Sequence, residues 1–230
     1  MNLLQAAIDY SDEKFDYIFM LSGFDYPLWS TNRITAFLEQ NKWGNHLWAM
    51  AVETTYYLCD LQREIRPDFE IRCLGRFCNR ALRAVCRKVF KVLQFKKPRR
   101  LKVEGQEWLV YKGSDYFCVS WELAKYVVTL YRSHKVIKKY FKHTFAPSEC
   151  VIHTIAFNSP FASSCTQICG EYRGLASLTP LHYIDGCHIK VLEEEDFAKL
   201  IASGKMFARK FRTGTSEKLI ALLDSKRASE

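Results

Sequence analysis

The segment Asp16–Leu28, DYIFMLSGFDYPL, leaves this 230-residue chain few ways to fold. Tyr17, Ile18, Phe19, Met20 and Leu21 form an unbroken apolar run rich in β-formers, which predicts a strand buried on both faces. Gly23 then permits a sharp exit, and Pro27 fixes the backbone just beyond it. Ser22 and Asp25 are thereby presented at the carboxyl edge of a sheet, where open α/β folds hold their ligands.

The rest of the chain alternates strand and helix signals. A first helix is expected to end near Ile8, and another runs from Thr31 to Gln40 with Ser30 or Thr31 as its cap. A strand follows around His46–Val52, then an irregular acidic and aromatic stretch. Lys97–Gly105, charged and holding Pro98 and Gly105, reads as a linker. Beyond it come a strand at Glu107–Tyr111, the turn Lys112, Gly113, Ser114, and apolar Tyr116–Val119. Ser120 gives a partial cap for a helix over Ala124–Tyr131. Further helices are expected at Glu149–Phe157 and Glu194–Ala202, with a strand at Leu181–Ile184 between them. This order predicts an α/β fold.

The charge is concentrated. Between Arg72 and Lys102 stand 12 Lys or Arg and no Asp or Glu, leaving 22 bases against 25 acids elsewhere. Arg72, Arg76, Arg80, Arg83, Arg87 and Lys91 recur at three- and four-residue spacing, and Leu82, Val85, Cys86, Val89 and Leu93 follow a parallel apolar track. The pattern is a basic amphipathic helix ending before Pro98. It can be a solvated face, or it can meet an anionic membrane surface, a lipid-linked phosphate or nucleic acid. With 48% hydrophobic residues the chain can bury one sizeable core. It is read as one domain over residues 1–230, with the basic helix and linker, about 72–105, as an internal insertion.

Apolar runs of about 18 residues are absent, and the start lacks the basic flank of a secretion signal. The nine cysteines, at 59, 73, 78, 86, 118, 150, 165, 169 and 187, are an odd number scattered through apolar stretches, as expected of reduced core thiols in a cytosolic protein. Neither Cys165 with Cys169 nor Cys73 with Cys78 has a matching second pair or histidines at ligand spacing, so no metal is expected.

Four blocks, LSGFDYPL (Leu21–Leu28), YKGSDYFCVSWELAKYV (Tyr111–Val127), APSECVIHTIAFNSPF (Ala146–Phe161) and LHYIDGCHIKVLEEEDFAKLIASGKMFARKF (Leu181–Phe211), stand in the order and spacing of one family. The chain resembles the core-2/I-branching β-1,6-N-acetylglucosaminyltransferases and the related peptide O-xylosyltransferases, glycosyltransferase family 14. The resemblance implies a GT-A-like, Rossmann-like domain that moves a sugar from a UDP-sugar to a hydroxyl of a glycan with inversion. It implies N-acetylglucosamine as the sugar, with xylose second. Glu149 falls on the family's catalytic base, a role that inversion demands because the acceptor hydroxyl must lose its proton as it attacks. Lys190 and Lys210, with Arg209 adjacent, fall on the cations that replace a metal at the donor diphosphate. Ser22, Gly23, Asp25, Gly113 and Ser114 are the residues expected to bind the acceptor or shape the site. No cofactor or metal is implied.

Two departures stand out. Ser148 replaces the acidic neighbour of the base, and Gly186 replaces an aromatic residue that stacks on the acceptor in the branching enzymes. The likeness enters at Asn2, Leu3 and Leu4, partway into the family's catalytic domain, so the domain is expected to be incomplete at its amino end. The leading expectation is therefore a cytoplasmic transferase acting on a glycan, lipid-linked in one version, and touching the inner face of an anionic membrane. The alternatives are a non-catalytic remnant that binds glycan or diphosphate, and a nucleic-acid-binding protein acting through the basic helix, which lacks a base-stacking platform.

Overall fold

The computed structural model describes residues 1–10, 15–42, 44–186 and 190–230. Among them are nine α-helices: α1 Asn2–Asp9, α2 Thr31–Gln40, α3 Tyr56–Arg63, α4 Arg76–Val92, α5 Trp121–Ser133, α6 Lys135–Phe141, α7 Ser148–Phe157, α8 Phe197–Ala202 and α9 Glu217–Ala228. The ten strands are short: β1 Tyr17–Phe19, β2 Asp25–Pro27, β3 Trp48–Ala51, β4 Arg100–Val103, β5 Gln106–Leu109, β6 Tyr111–Gly113, β7 Cys118–Ser120, β8 Thr166–Gln167, β9 His182–Ile184 and β10 Phe207–Arg209. Together they make a mixed α/β fold.

The strands pair in small mixed groups. In one, β3 runs antiparallel to β6 and parallel to β8; in another, β10 runs antiparallel to β2 and parallel to β9. A bridge between His46 and Cys118 links the β1–β7 pair to the approach of β3. The main core gathers Leu47, Met50, Phe117, Val119, Leu123, Val127, Ile137 and Ile155, from the β3, β7, α5, α6 and α7 region. A second cluster, Leu28, Leu192, Leu200, Ala208, Phe211, Leu219 and Leu223, packs α8 and α9 against β10. The α9 end is tied down by Tyr26 Oη donating to Asp224 at 2.7 Å and by Glu230 accepting from Ser30 N at 3.1 Å.

Several local expectations hold for the reasons given. Ser30 caps α2, its side chain accepting from Arg33 N at 3.3 Å, and Ser120 caps α5 by accepting from Leu123 N at 3.3 Å. Others are corrected. The strand at Tyr17 is three residues long and half-buried throughout, because β7 covers only one of its edges and neither face is fully packed. Gly23 has an ordinary backbone and open space where a Cβ would stand, so the exit from β1 does not depend on glycine there. Lys97–Gly105 is not a linker. Its second half is β4, folded on β5 through Glu104 and Gly105, whose φ values of 49° and 82° form the left-handed two-residue turn that suits a hairpin.

The cysteines are not uniformly core thiols. Cys118 and Cys150 are buried, Cys59, Cys86 and Cys165 are half-buried, and Cys73, Cys78 and Cys169 are exposed; Cys187 lies outside the described residues. The exposed three lie in the 71–75 approach, the first turn of α4 and the loop after β8, where little packs over them. Among the described residues no helix is long and apolar enough to cross a membrane.

Candidate functional site

The second group of strands builds one wall of the site. Its register sets Asp25 opposite Arg209 and Arg209 beside Ile184, so Ser22–Asp25 and Arg209 meet because of strand pairing rather than sequence proximity. Asp25 closes its own turn, accepting from Ser22 N at 2.6 Å and from Ser22 Oγ at 2.9 Å. Its carboxylate is 2% exposed, 3.5 Å from His182 Nε2 and 3.8 Å from Arg209 Nε. Burial opposes ionisation there, but His182 and the Ser22 groups outweigh it and hold the carboxyl below its ordinary range. Arg209 is further fixed by the Tyr116 ring, 4.6 Å beneath its guanidinium carbon. Ser22 thus holds Asp25, and the buried Asp25 carboxylate in turn faces Arg209 rather than open space.

The opposite wall is α7 packed on β6. Thr154 Oγ1 accepts from Tyr111 N at 3.0 Å, and Asn158 Oδ1 and Nδ2 bond Leu109 N and O at 3.1 and 2.8 Å. Thr154 of α7 and Asn158 just past its end thus satisfy backbone groups that a neighbouring strand would otherwise pair. The approach is close enough that a Cβ on Gly113 would overlap the His153 ring and the Trp48 carbonyl, which makes Gly113 a packing requirement. Ser114 is also structural: it is buried, its hydroxyl accepting from Thr179 Oγ1 at 2.9 Å and from Tyr116 N at 3.2 Å.

Glu149 stands in the first turn of α7, where the helix favours an anion. Its carboxylate pairs with Lys112 Nζ, and the two side chains are 15% and 3% exposed. Burial opposes the Lys112 charge, but neighbouring Cys150 and the Glu149 carboxylate outweigh it and raise its pKa. Lys112 is a site residue that sequence reasoning missed: the sequence reads as a turn at Lys112, Gly113 and Ser114, whereas Lys112 stands in β6 with α7 laid over it.

A cavity of about 530 Å³ joins the walls, lined by Glu149, Lys112, Arg209, Tyr116, Phe145 and Tyr172 among others. Tyr172 stacks on Tyr57 with centroids 6.2 Å apart, which puts aromatic faces on the cavity although Gly186 carries none. Neither Lys190 nor Lys210 lines this cavity. Lys190 is held by Asp196 at 2.5 Å, Lys210 Nζ lies 4.7 Å from the Phe24 ring centre, and Leu192 N donates to Lys210 O at 2.9 Å between them. Among the described residues no group of three or more His, Cys, Asp or Glu is placed to hold a metal ion.

His153 is wholly buried beneath Gly113, with neither ring nitrogen bonded, and burial, helped by the Lys112 charge, pushes its pKa down to about 3. The unfolded chain binds this proton below about pH 6.5 and the folded chain does not, so stability is lost as pH falls from about 6.5 towards 3. Urea unfolding at about pH 4.5 is expected to show a loss from this residue on the order of 2–3 kcal/mol relative to neutral pH. His153→Gln should flatten that part of the profile; an unchanged slope would remove the assignment.

No family model matches the chain. Similarity to curated proteins is long and dilute. The chain is 22% identical over 233 residues to xylosyltransferase 2 of Canis lupus familiaris, 24% over 234 to xylosyltransferase 1 of Rattus norvegicus and 23% over 232 to xylosyltransferase 1 of Homo sapiens. Each match takes in 96% of this chain and 24%, 26% and 22% of the respective relative. The likeness is to glycosyltransferases, carried along nearly the whole of this chain and about a quarter of theirs.

Proposed function

We propose that the chain transfers a sugar from a UDP-sugar to an acceptor hydroxyl on a glycan, with inversion and through a GT-A-like site. The observation that carries this reading is that Glu149 and Arg209, 60 positions apart in sequence, line one cavity. The xylosyltransferase relatives favour xylose as the sugar over N-acetylglucosamine.

In this reading Lys112 occupies one carboxylate oxygen of Glu149, Oε2, and leaves Oε1 to take the proton of the attacking hydroxyl. Arg209, braced by Asp25 and Tyr116, meets the diphosphate as negative charge builds on it, with Lys210, next along the chain, and Lys190 as further cations. These cations neutralise the leaving group without a metal. The aromatic faces of Tyr172 and Tyr57 supply a surface for a sugar ring.

Calorimetry with UDP tests the donor side. Arg209→Ala is expected to weaken UDP binding by about tenfold or more, the loss of a charge-assisted hydrogen-bonding group, and EDTA should leave both binding and transfer unchanged. Binding by the Ala variant equal to that of the wild type would remove Arg209 from the donor site. Transfer that stops in EDTA and returns with Mn²⁺ would replace the side-chain mechanism with a metal-assisted one. Parallel assays with UDP-xylose and UDP-N-acetylglucosamine decide the sugar.

A further inference from the structure

Helix α4 carries three stripes where the sequence suggested two. Seventeen residues long, it has a single buried residue, Asn79, whose side chain bonds Ile71 N at 2.8 Å, Leu74 O at 2.8 Å and Ile71 O at 3.1 Å. These bonds fasten the 71–75 approach to the helix start. Half-buried Leu82, Cys86 and Phe90, at fourfold spacing, face the body. Arg76, Arg80, Arg87 and Lys91 form a second stripe. Phe77, Ala81, Val85 and Val92 form a third, fully outward, with Phe77 84% and Val92 72% exposed and exposed Lys88 set among them; Phe95 instead packs on Phe90, ring centres 6.1 Å apart.

We propose that this outer surface of α4 docks on an anionic phospholipid membrane, the apolar stripe entering the interface and the basic stripe meeting the headgroups. Charge and apolar exposure select the occupant together. Glu64 and Asp60 on the body side pair with Arg87 at 3.4 Å and with Lys96, whereas no acid lies between Arg72 and Lys102 to offset Arg76, Arg80 and Lys88. A nucleic-acid backbone would satisfy the charges and leave Phe77, Val85 and Val92 in water. A second copy of the chain would bring like charges together. A bilayer of anionic lipid takes both stripes at once, with the helix lying in the plane of the interface. A separate groove of about 1060 Å³ gathers Arg99, Lys102, Lys139 and Lys142, with Arg100 there paired to Glu53 and Glu107.

Co-sedimentation with vesicles tests the proposal. The full chain should sediment with phosphatidylcholine vesicles containing phosphatidylserine, weakly with phosphatidylcholine alone, and progressively less as salt shortens the range of the attraction. Reversing Arg76, Arg80 and Lys88 to Glu should cut partitioning on the order of a hundredfold. Phe77→Ser with Val85→Ser and Val92→Ser should cut it about tenfold or more, and Phe77→Trp should add a blue-shifted emission on binding. All substituted positions are exposed, so circular dichroism and melting should match the wild type. Failure of the wild type to sediment with anionic vesicles at low salt overturns the proposal, as does undiminished sedimentation of the triple-Ser variant. So does an oligonucleotide that strips the chain from vesicles and binds the triple-Ser variant as tightly as the wild type, which would assign the surface to nucleic acid.

Discussion

Glu149→Gln is expected to lower sugar transfer by about a hundredfold or more while UDP affinity stays within about twofold of the wild type. Gln keeps the shape and an oxygen for Lys112 but cannot take the proton of the acceptor hydroxyl. The substitution also deprives a buried lysine of its counter-charge, because Lys112 is 3% exposed and its Nζ faces the Glu149 carboxylate. Such a loss destabilises a buried pair substantially. The assay therefore belongs well below the melting temperature of the variant, with UDP titration on the same preparation as the check that the site is folded. Transfer at the wild-type rate would show that the proton leaves by another route. Lost transfer together with lost UDP binding would show that the pair holds the cavity together rather than serving the chemistry.

The second large effect is structural and lies one residue from Lys112, the partner of Glu149. Gly113→Ala is expected to cost about 3 kcal/mol, since overpacking a well-filled interior costs this much when neighbours cannot yield. The neighbours here are a backbone carbonyl, that of Trp48, and the ring of His153, which is fully buried. Neither is the free end of a flexible chain. For a protein of this size the loss corresponds to a drop in melting temperature of roughly 6–12 °C. Scanning calorimetry checks it, and His153→Ala in the same chain should recover part of the loss by opening one side of the clash. A Gly113→Ala variant that melts like the wild type would mean that β6 and α7 separate at little cost, and with them Lys112 and Glu149. The transfer rate of this variant carries independent information, because displacement of β6 moves Lys112 whether or not the fold survives.

What could be read from the sequence was local. Ser30 before α2 and Ser120 before α5 are caps whose hydrogen bonds reach only three residues along the chain, so their partners are fixed by spacing. The periodicity of Arg76–Val92 specified a helix with a basic face for the same reason. The acidic first turn of α7 and the position of Glu149 within it were legible too. Tertiary structure alone decided the rest. Asp25 and Arg209 lie 184 residues apart and meet by strand register, which turned Asp25 from a ligand-facing group into a buried anchor. Lys112 acquired its partner only because Gly113 lets α7 approach β6 closely enough to bring Glu149 over it. The outward face of α4 was likewise invisible in its periodicity: an amphipathic pattern says which residues share a side, and only the packing of Leu82, Cys86 and Phe90 against the body determined which side was left to solvent.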